Sequence, residues 1–269
     1  MRDAETRRYV SWEGFAMAFD FTGRRVVVAG GSRGIGRSIA LAFAQAGAAV
    51  SACARGAEGI ARVRAELAAH GHLVHAATCD LGDAGAVARY IAEAAAALGG
   101  IDVLVNNASG FGLTNDEAGW AASVSVDLMA TVRASEAALP FLKQSSAGAI
   151  INTSSISALQ PSARTPPYGA AKAAVVHYTQ SQAVALAPAR IRVNSVAPGS
   201  IRFPGGSWDR RVQEDPAGMA DFVRRELPFG RFGRPEEVGA VVAFLVSARA
   251  SWISGASVPV DGCQSRSLI

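Results

Sequence analysis

Short apolar runs alternate along this chain with longer stretches in which apolar residues return every three or four positions. The first run, residues 25–30 (RVVVAG), is β-branched and nearly uninterrupted, the pattern of a strand covered on both faces. It leads through a glycine-rich turn into RSIALAFAQAG, where Ile39, Ala42 or Phe43, and Ala46 fall on one helical face before Gly47 stops the helix. The alternation then repeats. Strands are predicted at 49–53, 73–77, 102–106, 149–153, 191–196 and 257–260. Helices are predicted at 57–70, 83–98, 117–143, 168–187 and from Pro235, where Glu236 and Glu237 occupy the first turn as the helix dipole favours. Pro140 is the only interruption foreseen in the long helix at 117–143. Strands and helices in this order wind right-handed βαβ units into a parallel sheet. The expected fold is α/β, a single doubly wound domain of about seven strands with helices on both faces. It spans residues 19–269 without a linker or repeat; residues 1–18, lacking periodicity, read as a loose N-terminal extension in which Met17 is a second candidate start.

Composition narrows the class. Half of the 269 residues are apolar, 28 are glycine and only 18% are charged, which excludes extended disorder. No apolar run approaches the roughly 18 residues of a membrane span, and no leader pattern opens the chain, so no membrane partner is expected and the expected location is cytoplasmic. Cys53, Cys79 and Cys263 are odd in number and lack ligand spacing, which predicts neither a disulfide framework nor a metal site. The net charge of +4 comes from arginines dispersed among acids rather than from a basic arm, which argues against nucleic acid. Lysine is scarce: Lys143 and Lys172 are the two in the chain.

Two stretches carry chemistry. Gly30, Gly34 and Gly36 place the spacing G-x-x-x-G-x-G between the first strand and its helix. Glycines there let the backbone approach a pyrophosphate, whose charge the exposed amides of the helix N-terminus favour. An acid ending the second strand would pair with the adenosine ribose of NAD; this chain has Ala54 and then Arg55, with Arg33 inside the turn. Guanidinium groups bind phosphate through a charge-assisted fork, so NADP (NADPH) is the expected cofactor and NAD the less favoured one. The second stretch is SSISALQPSARTPPYGAAK, residues 154–172. Tyr168 and Lys172 are one helical turn apart on one face, and Ser155 precedes the tyrosine by thirteen residues. A phenol is a weak acid near pH 7, but an adjacent ammonium favours its phenolate and makes proton exchange with an alcohol oxygen feasible.

Together these residues resemble the short-chain dehydrogenase/reductase family, over about residues 19–262, and in particular its 3-oxoacyl-[acyl-carrier-protein] reductase-like members. AGGSRGIG resembles the family's T-G-x-x-x-G-x-G with Ala29 in place of threonine, and Asp80-Leu81 its acidic-apolar pair near the adenine. NNAS at 106–109 resembles N-N-A-G, and NTSS, YGAAK, APGSI and the closing GRPEEVGAVVAFLVS and VDG also match its phrasing. The resemblance implies a Rossmann-type domain and a homotetramer built on the helices at 117–143 and 168–187. It assigns cofactor binding to Gly30, Ser32, Arg33, Gly34, Ile35, Gly36, Arg55, Asp80, Leu81, Asn107, Ala108, Tyr168, Lys172, Pro198, Gly199 and Ile201. Two positions depart from the family. Its fourth catalytic residue, an asparagine typically within V-N-L, falls at Asp127 in SVDLMA, where it holds a kinked helix turn and a water leading to the lysine. An aspartate still accepts hydrogen bonds, but its charge beside Lys172 offsets part of the field favouring the Tyr168 phenolate, so a more alkaline oxidation optimum is expected. Arg202 stands where relatives often carry a threonine touching the nicotinamide carboxamide; cofactor phosphates, substrate and solvent are all open to it.

The activity implied is hydride transfer between NADPH and a carbonyl or secondary alcohol, with Tyr168 donating the proton, Ser155 hydrogen-bonding the oxygen and Lys172 orienting the nicotinamide ribose. A 3-oxoacyl thioester, carrier-bound, is the commonest substrate among similar chains. The alternatives are an alcohol dehydrogenase for a steroid, sugar or polyol, and, from another class, a dinucleotide-binding regulator or scaffold with little turnover. Residues 200–227 hold Phe203, Trp208, Met219, Phe222 and Val223 among five arginines, which suits either a substrate lid hinged at Gly205-Gly206 or ordinary core packing.

Overall fold

The computed structural model describes residues 19–161 and 163–266, so the extension expected at 1–18 lies outside the described residues. Seven strands form one parallel sheet: β1 Arg25–Ala29, β2 Ala49–Ala54, β3 Val74–Thr78, β4 Val103–Asn106, β5 Ala149–Thr153, β6 Arg192–Pro198 and β7 Ser257–Val260. Their order is β3-β2-β1-β4-β5-β6-β7. The chain therefore reverses its winding between β1 and β4, and a crevice opens beyond the carboxyl ends of those two strands.

Period-two alternation explains why both faces are covered. Val26 and Val28 point into one core, with Ile39 and Phe43 of helix α1 (Gly34–Gln45), Val63 and Leu67 of α2 (Ala57–Ala68) and Val238 and Val242 of α9 (Pro235–Val246). Val27 and Ala29 point into the other, with Val87 and Ile91 of α3 (Ala84–Leu98) and Ala134 and Ala138 of α5 (Ala130–Leu142). Fully burying each such Val or Ile stabilises the fold by about 1.5–3 kcal/mol, so a polar substitution on either face of β1 would be costly. Arg25 and Asp102 close the opposite, amino-terminal edge of the sheet. Asp102 accepts from the Arg25 backbone and side chain and from Ser145 Oγ. Burial alone would raise the Asp102 carboxyl, but the Arg25 and Ser145 hydrogen bonds override it and hold the group below its ordinary value. The contribution is thus present above about pH 3.9 and is lost as the pH falls through the depressed folded value. Asp102→Asn is expected to cost about 2 kcal/mol at pH 7 and almost nothing in strong acid, measured by urea unfolding at both pH values.

The predicted elements appear with boundaries displaced by at most two residues, except the long helix. Instead of running from 117 to 143 with a break at Pro140, it consists of α4 (Glu117–Ala122), a π-helical segment (Ser123–Met129) and α5, which contains Pro140. The interruption falls around Asp127 rather than at the proline. Helix α6 (Pro166–Leu186) starts two residues before Tyr168, with prolines in its first turn where their missing amides are harmless. Residues 207–226 form two short helices, α7 (Ser207–Glu214) and α8 (Pro216–Glu226). Among the described residues no helix is long and apolar enough to cross a membrane, and no group of His, Cys, Asp or Glu is placed to hold a metal ion.

Candidate active site

The glycine turn leaves β1 at the reversal point. Gly30 has φ +90, and its would-be Cβ strikes the backbone of Ala108 at 2.7 Å, while a Cβ on Gly36 would strike the Gly30 carbonyl. Side chains are excluded at both places by backbone on the far side, which leaves amides bare at the N-terminus of α1. Asn107 Nδ2 donates to Gly30 O at 2.9 Å and its Oδ1 accepts from Thr153 Oγ1 at 3.4 Å, tying the turn to the end of β5. Arg33 caps α1, Arg55 follows β2, and both are exposed beside this cradle. Neither makes an ion pair with a described residue. The bare turn and two exposed cations fit a phosphorylated dinucleotide. Asp80 is exposed and turns its carboxylate to Gly82 N, whereas Leu81 is buried. Ser32 and Ile35 line the same turn and are half-buried. Across the crevice, Pro198, Gly199 and Ile201 leave β6, and Ile201 bridges to Gly233.

Beneath the crevice a buried polar network joins the strands to the helices. Asn106 Nδ2 donates to Asn152 Oδ1 and Ser135 Oγ, and Asn152 Nδ2 donates to Thr179 Oγ1. These bonds register α5 and α6 against β4 and β5, which positions what α6 carries, while Asn106 Oδ1 is left without a hydrogen-bond partner among the described residues. Lys172 is 2% exposed; its Nζ donates to Thr153 O at 2.8 Å and pairs with Asp127 Oδ1 at 3.1 Å. Ser154 Oγ donates to the Lys172 carbonyl at 3.0 Å, so NTSS fixes both ends of the lysine. The Lys172 Nζ lies 5.7 Å from the centre of the Tyr168 ring. Ser155 caps a short 3₁₀ turn (Ile156–Ala158), its Oγ accepting from Ser157 N at 3.1 Å, and is 7% exposed. Tyr178, further along α6, is pushed up to about 12 by burial and by the charge of Glu136.

A family model described as enoyl-(acyl carrier protein) reductase matches residues 29–263. The chain belongs to the short-chain dehydrogenase/reductase family. Cis-4-hydroxycyclohexanecarboxylate dehydrogenase of Sinomonas cyclohexanicum is 37% identical over 252 residues, covering 90% of this chain and 96% of that one. The NADPH-bound short-chain oxidoreductase of Pseudomonas aeruginosa, which contains an atypical catalytic center, superposes with TM-score 0.84 at 33% identity, over 92% of this chain and 99% of that one. L-Sorbose reductase of Gluconobacter frateurii, complexed with NADPH and L-sorbose, gives TM-score 0.87 at 29% identity over 93% and 99%. As a short-chain dehydrogenase/reductase, the chain is an oxidoreductase acting on the CH–OH/C=O pair with a nicotinamide dinucleotide.

Within this family member the two departures have definite surroundings. Asp127 is fully buried; Oδ1 meets Lys172 directly, and Oδ2 accepts from Gly110 N at 3.1 Å. Arg202 is paired with Asp209: its Nε and Nη2 reach Asp209 Oδ1, both at 3.0 Å, and Asp209 Oδ2 accepts from Gly205 N and Gln213 Nε2. Thr153 and Phe111 have a place in the site that sequence reading missed, and Phe203, foreseen as part of a lid or of the core, lies against the glycine turn. The Thr153 carbonyl holds the lysine, but a main-chain acceptor leaves no side-chain signature. Phe203 covers the turn, where it would collide with any side chain at Gly34. Phe111 stacks on Tyr168 with centroids 6.0 Å apart and planes 4° from parallel. The signal for Phe111 was its setting, Gly-Phe-Gly directly after NNAS.

Proposed function

We propose that this enzyme is NADP(H)-dependent and reduces a ketone to a secondary alcohol, with Tyr168 as proton donor, Ser155 as hydrogen-bond donor to the carbonyl oxygen and Lys172 as the cation that favours the phenolate. The observation that carries the reading is the buried ammonium of Lys172, held by Thr153 and Asp127 beside Tyr168, at the strand ends that also bear the glycine turn. When bound, the nicotinamide supplies the hydride. The chain does the rest: Ser155 and Tyr168 supply the oxygen with donors as negative charge develops, and Lys172 stabilises the tyrosinate left after proton transfer.

Arg33 and Arg55 are the residues we assign to the 2′-phosphate, a reading supported by NADPH in two solved relatives. Each charge-assisted bond is worth about 1.5–3 kcal/mol. Arg55→Ala is therefore expected to weaken NADPH binding roughly tenfold or more while leaving NADH nearly unchanged, read by fluorescence titration with each cofactor. Equal losses for both cofactors would contradict the assignment.

The substrate we favour is compact and apolar around its carbonyl. A 3-oxoacyl thioester would call for free cations at the mouth, but the arginines at 202–225 are engaged: Arg202 with Asp209, Arg210 with Gly205 O, Arg211 over Trp208, and Arg224 and Arg225 with Asp221. The ring alcohol that names the Sinomonas relative supports an alicyclic class. Helices α7 and α8 act as the lid, their Trp208 and Phe222 in mutual ring contact and both against Phe232 of the following segment, with Gly205 at φ +70 as the hinge. The homotetramer packs through the long helices, where Trp120, Val124 and Val184 are exposed.

A further inference from the structure

Phe111 has φ +49, in the left-handed region that bulky residues seldom occupy. Three hydrogen bonds pin the backbone around it. Ser109 Oγ accepts from Phe111 N at 3.1 Å, Asp127 Oδ2 accepts from Gly110 N at 3.1 Å, and Ser123 Oγ donates to Gly112 O at 3.2 Å. The flanking glycines press against helix backbone: a Cβ on Gly110 would strike Ala122 O, and one on Gly112 would strike Gly119 O. A strained, firmly held aromatic residue would be unremarkable in a core, where burial offsets the strain. Phe111, however, is 49% exposed, so packing does not account for its placement. Backbone strain that the surroundings over-determine clusters at ligand clamps and active sites.

The Phe111 ring is stacked with that of Tyr168, the planes 4° from parallel and the centroids 6.0 Å apart. A third ring between them would need about 7 Å between planes, twice the contact distance of roughly 3.5 Å. No substrate ring can therefore enter between the two, and the part of Phe111 open to one is its exposed part. We propose that Phe111 is a specificity-determining residue, whose exposed face receives a ring flanking the substrate carbonyl, so that ring ketones are preferred over small acyclic ones. The assignment rests on Tyr168 being the proton donor proposed above, and it adds the residue that recognises what is attached to the carbonyl.

The test compares cyclohexanone with butan-2-one in the wild-type enzyme, Phe111→Ala and Phe111→Leu, with NADPH. Phe111→Ala is expected to raise KM for cyclohexanone tenfold or more, with kcat for it and KM for butan-2-one each changed less than threefold; Phe111→Leu recovers part of the loss. In parallel, cyclohexanone is added to the NADPH complex of Tyr168→Phe, where it is expected to raise Tm, and Phe111→Ala on that background is expected to remove the shift. Equal changes for both ketones, no change for either, or a shift that is absent throughout or survives without Phe111 would overturn the inference. A wild-type enzyme that consumes no NADPH, combined with a Phe111-dependent shift, would sink the carbonyl-reductase reading and leave the specificity assignment standing.

Discussion

Tyr168→Phe is expected to lose about 10³-fold in kcat for ketone reduction while binding NADPH as tightly as the wild type. The reason is the distribution of work in the site. A positioned general acid contributes roughly 10²–10⁴ in rate, and the phenolic proton is the one that can be given up beside a fixed cation. Removing one oxygen from a half-buried ring that stacks on Phe111 leaves the packing intact, and the cofactor cradle is built from Gly30, Gly36 and Asn107 instead. Binding and chemistry should therefore separate. Retained near-wild-type turnover would remove Tyr168 from the mechanism, whereas a parallel loss of NADPH binding would make it structural.

The second large effect concerns Asp127. Both members of its pair with Lys172 are almost fully shielded from water, so cutting the aspartate back to Ala strands an ammonium in the interior and is expected to cost about 3–5 kcal/mol. The pair is also positioned by a second bond, from Gly110 N to Oδ2. Asp127→Asn keeps an acceptor for that amide and removes only the charge, so its stability loss is expected to be smaller. Its diagnostic is electrostatic. Without the carboxylate, the Lys172 charge acts undiminished beside the Tyr168 oxygen as it gains negative charge in the transition state, so kcat for ketone reduction is expected to change while NADPH affinity does not. An unchanged kcat in Asp127→Asn, measured with saturating NADPH, would show that Asp127 does not modulate the proton donor.

Much of this site is legible from sequence because its parts are local. Gly30, Gly34 and Gly36 follow a strand that periodicity reveals, and Tyr168 and Lys172 sit four residues apart on a helix with prolines at its start. The strands were visible for the same reason: with both faces buried, β1 carries the apolar run at residues 26–29 and β5 opens on Ala-Ile-Ile. What was not legible depends on contacts between distant segments. The π-helical turn at Ser123–Met129 has no sequence period of its own, and Pro140, the evident suspect, is tolerated within α5. Arg202 had three open destinations until α7 placed Asp209 beside it. The Gly-Phe-Gly setting of Phe111 marks the residue without saying what it touches; its stacking on Tyr168 exists only because the segment after β4 meets the start of α6.

The most direct test is the loss of NADPH absorbance when the wild-type enzyme meets a panel of ring and acyclic ketones, with the alcohol product quantified. The account predicts turnover with NADPH in preference to NADH, one alcohol formed per NADPH consumed, and the highest kcat/KM on a ring ketone. Tight NADPH binding with no consumption on any member of the panel would contradict it and leave a dinucleotide-binding regulator in its place.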